Sequence, residues 1–123
     1  MTRLVSALLV ALVLAGTALG AEPRYLASLE ELPLMPGLTE LADRGVDFDS
    51  PEGRIVEAYA QGPVARDDVL RFYAETLPQL GWAPVQPGLF RRDNEELRVD
   101  PVSAEDPTRL TVRFALSPIA AVR

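Results

Sequence analysis

The sequence contains no cysteine, no histidine and no lysine, so all twelve of its cationic side chains are arginines. Without cysteine the chain can form no disulfide, no thiolate metal site, no catalytic thiol and no lipidated cysteine. Without histidine or lysine, a serine nucleophile would need a carboxylate or a terminal amine as its base. These absences argue against a thiol-based or acyl-transfer enzyme.

Positive charge is also in deficit. The 123 residues include eighteen acidic side chains and carry a formal net charge of −6. Such a chain is a poor ligand for nucleic acid or for an anionic membrane, unless one face is locally basic. We therefore expect no nucleic-acid partner, and no motif in the sequence indicates a cofactor.

One acidic stretch suggests a calcium-binding site. Asp47, Asp49 and Glu52 are spaced like the start of a calcium-binding loop. However, Pro51 stands where the third ligand would lie, and Glu52 replaces the glycine that such a loop requires. We interpret the stretch as a polar hairpin turn and predict no metal centre, with a weak ion site as the alternative.

The first twenty residues have the pattern of a secretory signal peptide. Arg3 gives a positive start, residues 4–14 are almost wholly aliphatic, and residues 15–21 are rich in small side chains. Cleavage is expected after Gly20 or Ala21. An uncleaved anchor is the alternative, but the apolar run is shorter than the roughly 20 residues of a spanning helix. We expect an exported protein, periplasmic or secreted, that keeps no stable membrane anchor after cleavage.

Residues 66–82 contain the one convincing amphipathic helix, around which the rest of the chain is organised. Val69, Phe72 or Tyr73, and Leu77 recur at the spacing that lines one helix face. Pro78 should kink or end the helix near Leu77. Gly81 then suits the left-handed position that follows a helix, and it delivers Trp82 to the sheet.

Around this helix the sequence predicts an α+β domain with an antiparallel sheet of four to six strands, in the order ββαββββ. The final strand is the clearest, because polar and apolar residues alternate from Arg109 to Leu116. The predicted strands cover residues 45–49, 54–61, 82–85, 89–92, 96–102 and 109–116. An extended, proline-rich strap (residues 21–44) precedes the domain (residues 45–118), and residues 119–123 form a tail.

The predicted core combines one face of the helix with one face of the sheet. Val56, Ala58 and Ala60 should lie beneath the helix, while Ile55 and Tyr59 face the other side, covered by the strap. The strap itself should bury Leu34 or Met35 at the rim. The remaining predicted core residues are Val69, Phe72 or Tyr73, Leu77, Leu80, Trp82, Leu97, Val99, Leu110, Val112, Phe114 and Leu116.

Several of these residues form a recurrent pattern. Phe72-Tyr73, Leu77-Pro78 and Gly81-Trp82, together with Phe90-Arg91-Arg92 and Leu97-Arg98-Val99, resemble small exported bacterial proteins in which a helix with this ending precedes antiparallel strands. The resemblance spans about residues 45–118. It implies a helix on an antiparallel sheet in an envelope protein of no assigned activity, and it supplies no catalytic residues.

Three hypotheses for function follow. The leading one is a non-enzymatic module that binds another envelope protein, through a sheet face bearing Tyr59, Arg98, Arg109 and Arg113 or through a strand edge joined with the strap. The second is a small-ligand site in a crevice between helix and sheet near Tyr73 and Trp82. The third is a hydrolase that uses carboxylates alone. Glu57 would be its candidate acid, although a surface ion pair of Glu57 with Arg98 or Arg113 is the simpler expectation.

Overall fold

The computed structural model describes residues 24–103, 106 and 108–119. The predicted signal peptide, the start of the exported chain and most of the predicted tail lie outside the described residues. Within them, one α-helix packs on a seven-stranded antiparallel sheet, which confirms the α+β class. None of the described helices is long and apolar enough to cross a membrane.

The helix begins and ends as the sequence predicts. Helix α1 spans Arg66–Thr76 and continues directly into a 3₁₀ turn at Leu77–Leu80, which contains Pro78. Asp67 and Asp68 lie in the first turn, where carboxylates suit the positive end of the helix dipole. Gly81 adopts φ 91°, the left-handed conformation that closes the segment.

Nine strands precede or follow this helix in the described part of the chain. The six predicted strands are present with small shifts in their ends, and three short strands in the strap add to them. The three strap strands are β1 (Arg24–Tyr25), β2 (Pro33–Leu34) and β3 (Thr39–Glu40). The six predicted strands are β4 (Val46–Ser50), β5 (Gly53–Gly62), β6 (Ala83–Gln86), β7 (Leu89–Arg92), β8 (Glu95–Ser103) and β9 (Leu110–Pro118).

The main sheet has the order β3-β5-β9-β8-β7-β6, and β4 pairs with the same edge of β5 as β3 does. Strands β6 to β9 form the meander that their short connections predict. Strand β9 returns to pair with β5 over seven residues, which joins the meander to the first half of the sheet. Strands β1 and β2 form a separate two-stranded sheet.

The strap lies on the face of the sheet that the helix covers, which corrects the prediction that it covers Ile55 and Tyr59. The Tyr73 hydroxyl in α1 donates to the Pro33 carbonyl at 2.8 Å and accepts from the Met35 N–H at 3.1 Å. Glu31 accepts hydrogen bonds from Arg54 at 2.6 Å and from Arg92 at 3.0 Å. Helix and strap therefore form one layer, and we call the sheet face beneath them the inner face.

The strap is also a larger part of the core than its sequence indicates. Leu34 is buried as predicted, and Met35 packs against the core as a partly buried residue. The other four leucines that the strap buries show no regular period in the sequence and were not predicted as core. They are Leu26, Leu29, Leu32 and Leu38, each 3% exposed or less.

Most of the predicted core is buried, with corrections at Leu80 and Leu110, and Tyr73 is the buried one of the two predicted alternatives. Tyr73 is fully buried whereas Phe72 is only partly so, because the Tyr73 ring points between the strap and Phe114. Leu80 is 39% exposed, since the 3₁₀ turn rotates it away from the sheet. Leu110 is partly buried, because it begins β9 at the end of the sheet.

Candidate interaction surface

The face of the sheet opposite the helix and strap is built by strict alternation along three long strands. In β5, Val56, Ala58 and Ala60 are at most 1% exposed on the inner face. Their alternating neighbours therefore point the other way, where no described helix or strap residue covers them. We call this the outer face. The strand registers place on it Ile55, Glu57, Tyr59, Arg91, Glu96, Arg98, Asp100, Arg113, Ala115 and Ser117.

Arg113 lies at the centre of the outer face. Its guanidinium forms an ion pair with Glu57 on the neighbouring strand, which is one of the two pairings that the sequence predicts. The Tyr59 hydroxyl donates a long hydrogen bond of 3.5 Å to the same carboxylate. The hydrogen bond with Glu57 raises the pKa of Arg113, against the opposing effect of burial. Arg113 and Tyr59 are thus brought together as predicted, around a shared carboxylate.

Arg98 lies one strand away and also has an acidic neighbour. Its Nη2 atom is 3.6 Å from Glu96 Oε1, and Nη2 of Arg91 is 3.5 Å from the other oxygen of Glu96. The Arg98 side chain is 48% exposed. Each arginine of the outer face therefore has a carboxylate within ion-pairing distance, so the face carries mixed charge rather than a basic patch.

A depression of about 270 Å³ lies between these two groups of charges. Ile55 and Ala115 contribute the apolar side chains of its lining, and Ser117 contributes a hydroxyl. Glu57 with Arg113 and Glu96 with Arg98 line it as well. The depression exists because Ala115 stands, with its small side chain, directly between Glu57 and Arg98 in the strand register.

An exposed apolar strip continues from the depression toward the edge of the sheet. Val46 pairs with Glu57 and Phe48 pairs with Ile55, so both β4 residues share the outer face. Their exposed fractions are 45% and 50%. Strand β4 was predicted from the sequence, but its contribution to the outer face was not. The available signal is the alternation of apolar Val46 and Phe48 with acidic Asp47 and Asp49.

Arg109 does not join the cluster. It precedes β9, in a turn where its N–H donates to the Asp106 carbonyl at 3.1 Å. Thr108 donates from both its hydroxyl and its N–H to the Asp106 carboxylate, and these hydrogen bonds lower the pKa of Asp106. This turn sets the start of β9 one residue later than predicted and leaves Arg109 outside the sheet.

The predicted crevice between helix and sheet is filled by side chains. Tyr73 is 0% exposed and Trp82 is 2% exposed, so neither presents a surface to a ligand. Arg92 lies over the Trp82 ring, with its guanidinium carbon 4.3 Å from the ring centroid. Phe72 and Phe114 each pack edge-on against the Tyr73 ring. Tyr73 and Trp82 are therefore parts of the core rather than of a binding site.

Among the described residues no group of three or more acidic side chains is placed to hold a metal ion. No protein-family model, curated protein or solved structure gives a significant match to this chain. The resemblance to small exported bacterial proteins accordingly stays a prediction, and the outer face is the remaining guide to function.

Proposed function

We propose that this protein is a non-enzymatic interaction module of the bacterial envelope, exported to the periplasm, that binds another protein through its outer face. One observation carries the proposal. The outer face has no described covering element, yet it bears the half-exposed Val46 and Phe48 beside a mainly polar depression that Ile55 and Ala115 also line. Contiguous exposed apolar surface with a polar rim is characteristic of protein-binding sites.

The charges of the face favour a protein over a polyanion. Arg98 and Arg113 lie next to carboxylates, so a phosphate backbone would have to displace Glu96 and Glu57 from them. The net charge of −6 adds a long-range repulsion. A protein surface can offer one apolar side chain to the depression and opposite charges to its mixed rim. Arginine and tyrosine are enriched in such interfaces.

The other two hypotheses gain no support. The crevice proposed for a small ligand is occupied by Tyr73 and Trp82, both buried. The candidate acid Glu57 does not stand alone in an apolar setting that would favour a proton donor, because Arg113 and Tyr59 both bond to it. We therefore retain protein binding alone as the proposed function.

The test is affinity capture with the tagged protein from the envelope of its own host, beside an Arg98→Glu variant. Arg98 is half-exposed on the rim of the depression, so charge reversal should leave the fold intact while placing repulsive carboxylates together. We expect one envelope protein to copurify with the wild type. The captured amount should be at least about tenfold lower with the variant, as expected for a residue that contributes substantially to binding.

Arg71→Glu is the matched control. Arg71 is also exposed and paired with an acid, Asp68, but it lies on the helix layer away from the outer face. Its substitution makes the same change of charge and should preserve capture. If Arg71→Glu and Arg98→Glu weaken capture equally, or if the folded wild type captures no protein, the proposal fails. Circular dichroism of each variant establishes that it remains folded.

A further inference from the structure

The two edges of the main sheet differ in how well they are protected against pairing with an additional strand. At one edge β6 contains Pro84, whose missing N–H makes it a poor template for another strand. At the opposite edge β4 pairs with β5 on one side, and no described strand pairs with its other side. Strand β4 contains neither proline nor a cationic residue. Every second residue of β4 therefore presents its backbone N–H and C=O at an open edge.

The side chains of β4 determine which kind of strand could pair with this edge. Val46 and Phe48 lie on the outer face, and the alternation of the strand puts Asp47 and Asp49 on the other face. All four residues are exposed. An added strand would thus meet apolar side chains on one face and carboxylates on the other.

We propose that the β4 edge binds an extended segment of a partner protein in which basic and apolar residues alternate. The inference depends on the proposed function, since it specifies how part of the partner would attach. In an antiparallel addition, each basic residue would lie beside Asp47 or Asp49, and the apolar residues would extend the strip of Val46 and Phe48. The backbone would supply affinity, while the alternating side chains would set the register.

The same chemistry disfavours a second copy of this chain as the occupant. Antiparallel pairing of two β4 strands about Phe48 would put Asp47 of each copy opposite Asp49 of the other. Like charges directly opposite each other destabilise a strand pair. Charged edge residues commonly prevent this kind of self-association. The aspartates therefore select against self-pairing and for a basic partner strand.

The probe is an eight-residue peptide of alternating arginine and valine, added to the ¹⁵N-labelled processed protein. We expect it to bind and to slow the hydrogen exchange of backbone amides in residues 46–50. A peptide of alternating glutamate and valine should do neither. The arginine-valine peptide with all its amides N-methylated keeps its charge but cannot form a strand ladder. It should bind about tenfold more weakly or worse.

Asp47→Asn/Asp49→Asn is the corresponding protein variant, because it removes both charges with little change of shape. It should weaken binding of the basic peptide by about 2- to 30-fold, as expected for two cross-strand charge pairs. The matched control, Glu75→Gln/Asp93→Asn, removes two exposed charges elsewhere and should leave that binding within about twofold of the wild type, because only long-range attraction to a screened surface changes.

Several outcomes would overturn the inference. These are equal binding of the N-methylated peptide, protection of amides outside β4, an equal effect of the control variant, or no binding by any peptide. The failure would be distinct from that of the proposed function. Capture that depends on Arg98 while the peptides leave β4 unprotected would retain the outer face and reject the edge.

Discussion

Tyr73 connects helix, strap and sheet through one side chain. Its hydroxyl bonds to Pro33 and to the Met35 N–H in the strap, and its ring packs edge-on against Phe114 in β9. The residue is fully buried. Because both strap groups are backbone atoms, removal of the hydroxyl leaves a donor and an acceptor without this partner.

Tyr73→Phe should therefore lower the free energy of unfolding by about 1–3 kcal/mol at neutral pH. Denaturant unfolding measures the change. Tyr25→Phe is a suitable control, because Tyr25 is 52% exposed and its substitution should change stability by less than about 0.5 kcal/mol. Equal effects of the two substitutions would contradict the role given to the buried hydroxyl.

The same residue predicts a dependence on alkaline pH. Burial raises the pKa of Tyr73 above its ordinary value of 10.0, and the hydrogen bond from Met35 only partly opposes this. The folded protein thus retains a proton that the unfolded chain loses near pH 10. Its stabilising effect is complete below pH 10 and declines as the pH rises further.

We expect the free energy of unfolding to fall above pH 10 by up to about 1.4 kcal/mol per pH unit from this group. Tyr73→Phe should show a smaller decline, because it lacks the titrating hydroxyl. Unfolding curves for both proteins between pH 8 and pH 11, chosen as about two units below and one above the ordinary tyrosine pKa, provide the measurement. Parallel pH profiles would exclude Tyr73 as the source.

At the residue scale, the backbone conformations that single residues impose were predictable from the sequence. Which of the neighbours Phe72 and Tyr73 enters the core was not. Gly81 and Pro78 constrain their own backbone, so the end of the helix could be foreseen from them. Strand alternation put Glu57 on one face with Arg98 and Arg113, and the strand register selects Arg113 as its partner. The sequence left Phe72 and Tyr73 equivalent, because the helical period allows either. The strap groups that select Tyr73 are about 40 residues away along the chain.

At the scale of elements, the strap behaves as a second layer of the core alongside the helix. Its leucines share one buried cluster with α1 and with the inner face of β5, β8 and β9. Strand β3 attaches its end to β5, and the carbonyl of Gly37 lies where a side chain on Gly62 would have to stand. A glycine at position 62 is what permits this close approach.

Leu32→Ala should accordingly destabilise the domain by about 2–5 kcal/mol, the cost of a large cavity in a packed core. Leu32 is 1% exposed, whereas Leu80 is 39% exposed. Leu80→Ala removes the same atoms and should cost less than about 1 kcal/mol, since much of that side chain is already in water. Chemical denaturation of the two variants compares them, and equal losses would contradict the place of the strap in the core.

The elements with a regular period were predictable, and the short strap elements were not. Alternation over β9 and the three-and-four spacing in α1 each extend over enough residues to identify the element. Strands β1, β2 and β3 have two residues each, too few to show a period. Their pairing depends on tertiary contacts, so the strap could be predicted as extended but not placed on the inner face.

At the scale of the whole molecule, the two faces of the sheet differ in whether other elements cover them. The inner face is sealed by the helix and the strap, while the described part of the chain leaves the outer face uncovered. Strand alternation predicted that Tyr59, Arg98 and Arg113 share the outer face, but it misplaced Arg109, which lies in the turn before β9, and it missed Val46 and Phe48. It could not predict that both central arginines have acidic partners, since this depends on the register of β5, β8 and β9.

The central claim is that a protein partner docks into the depression on the outer face, and one pair of variants tests it directly. Ala115→Arg fills the depression with a long side chain, whereas Ala74→Arg makes the same substitution on the exposed side of α1. Calorimetric titration with the captured envelope protein should give at least a tenfold weaker Kd for Ala115→Arg, about 1.4 kcal/mol, and an unchanged Kd for Ala74→Arg. Unchanged affinity of a folded Ala115→Arg variant would contradict the claim.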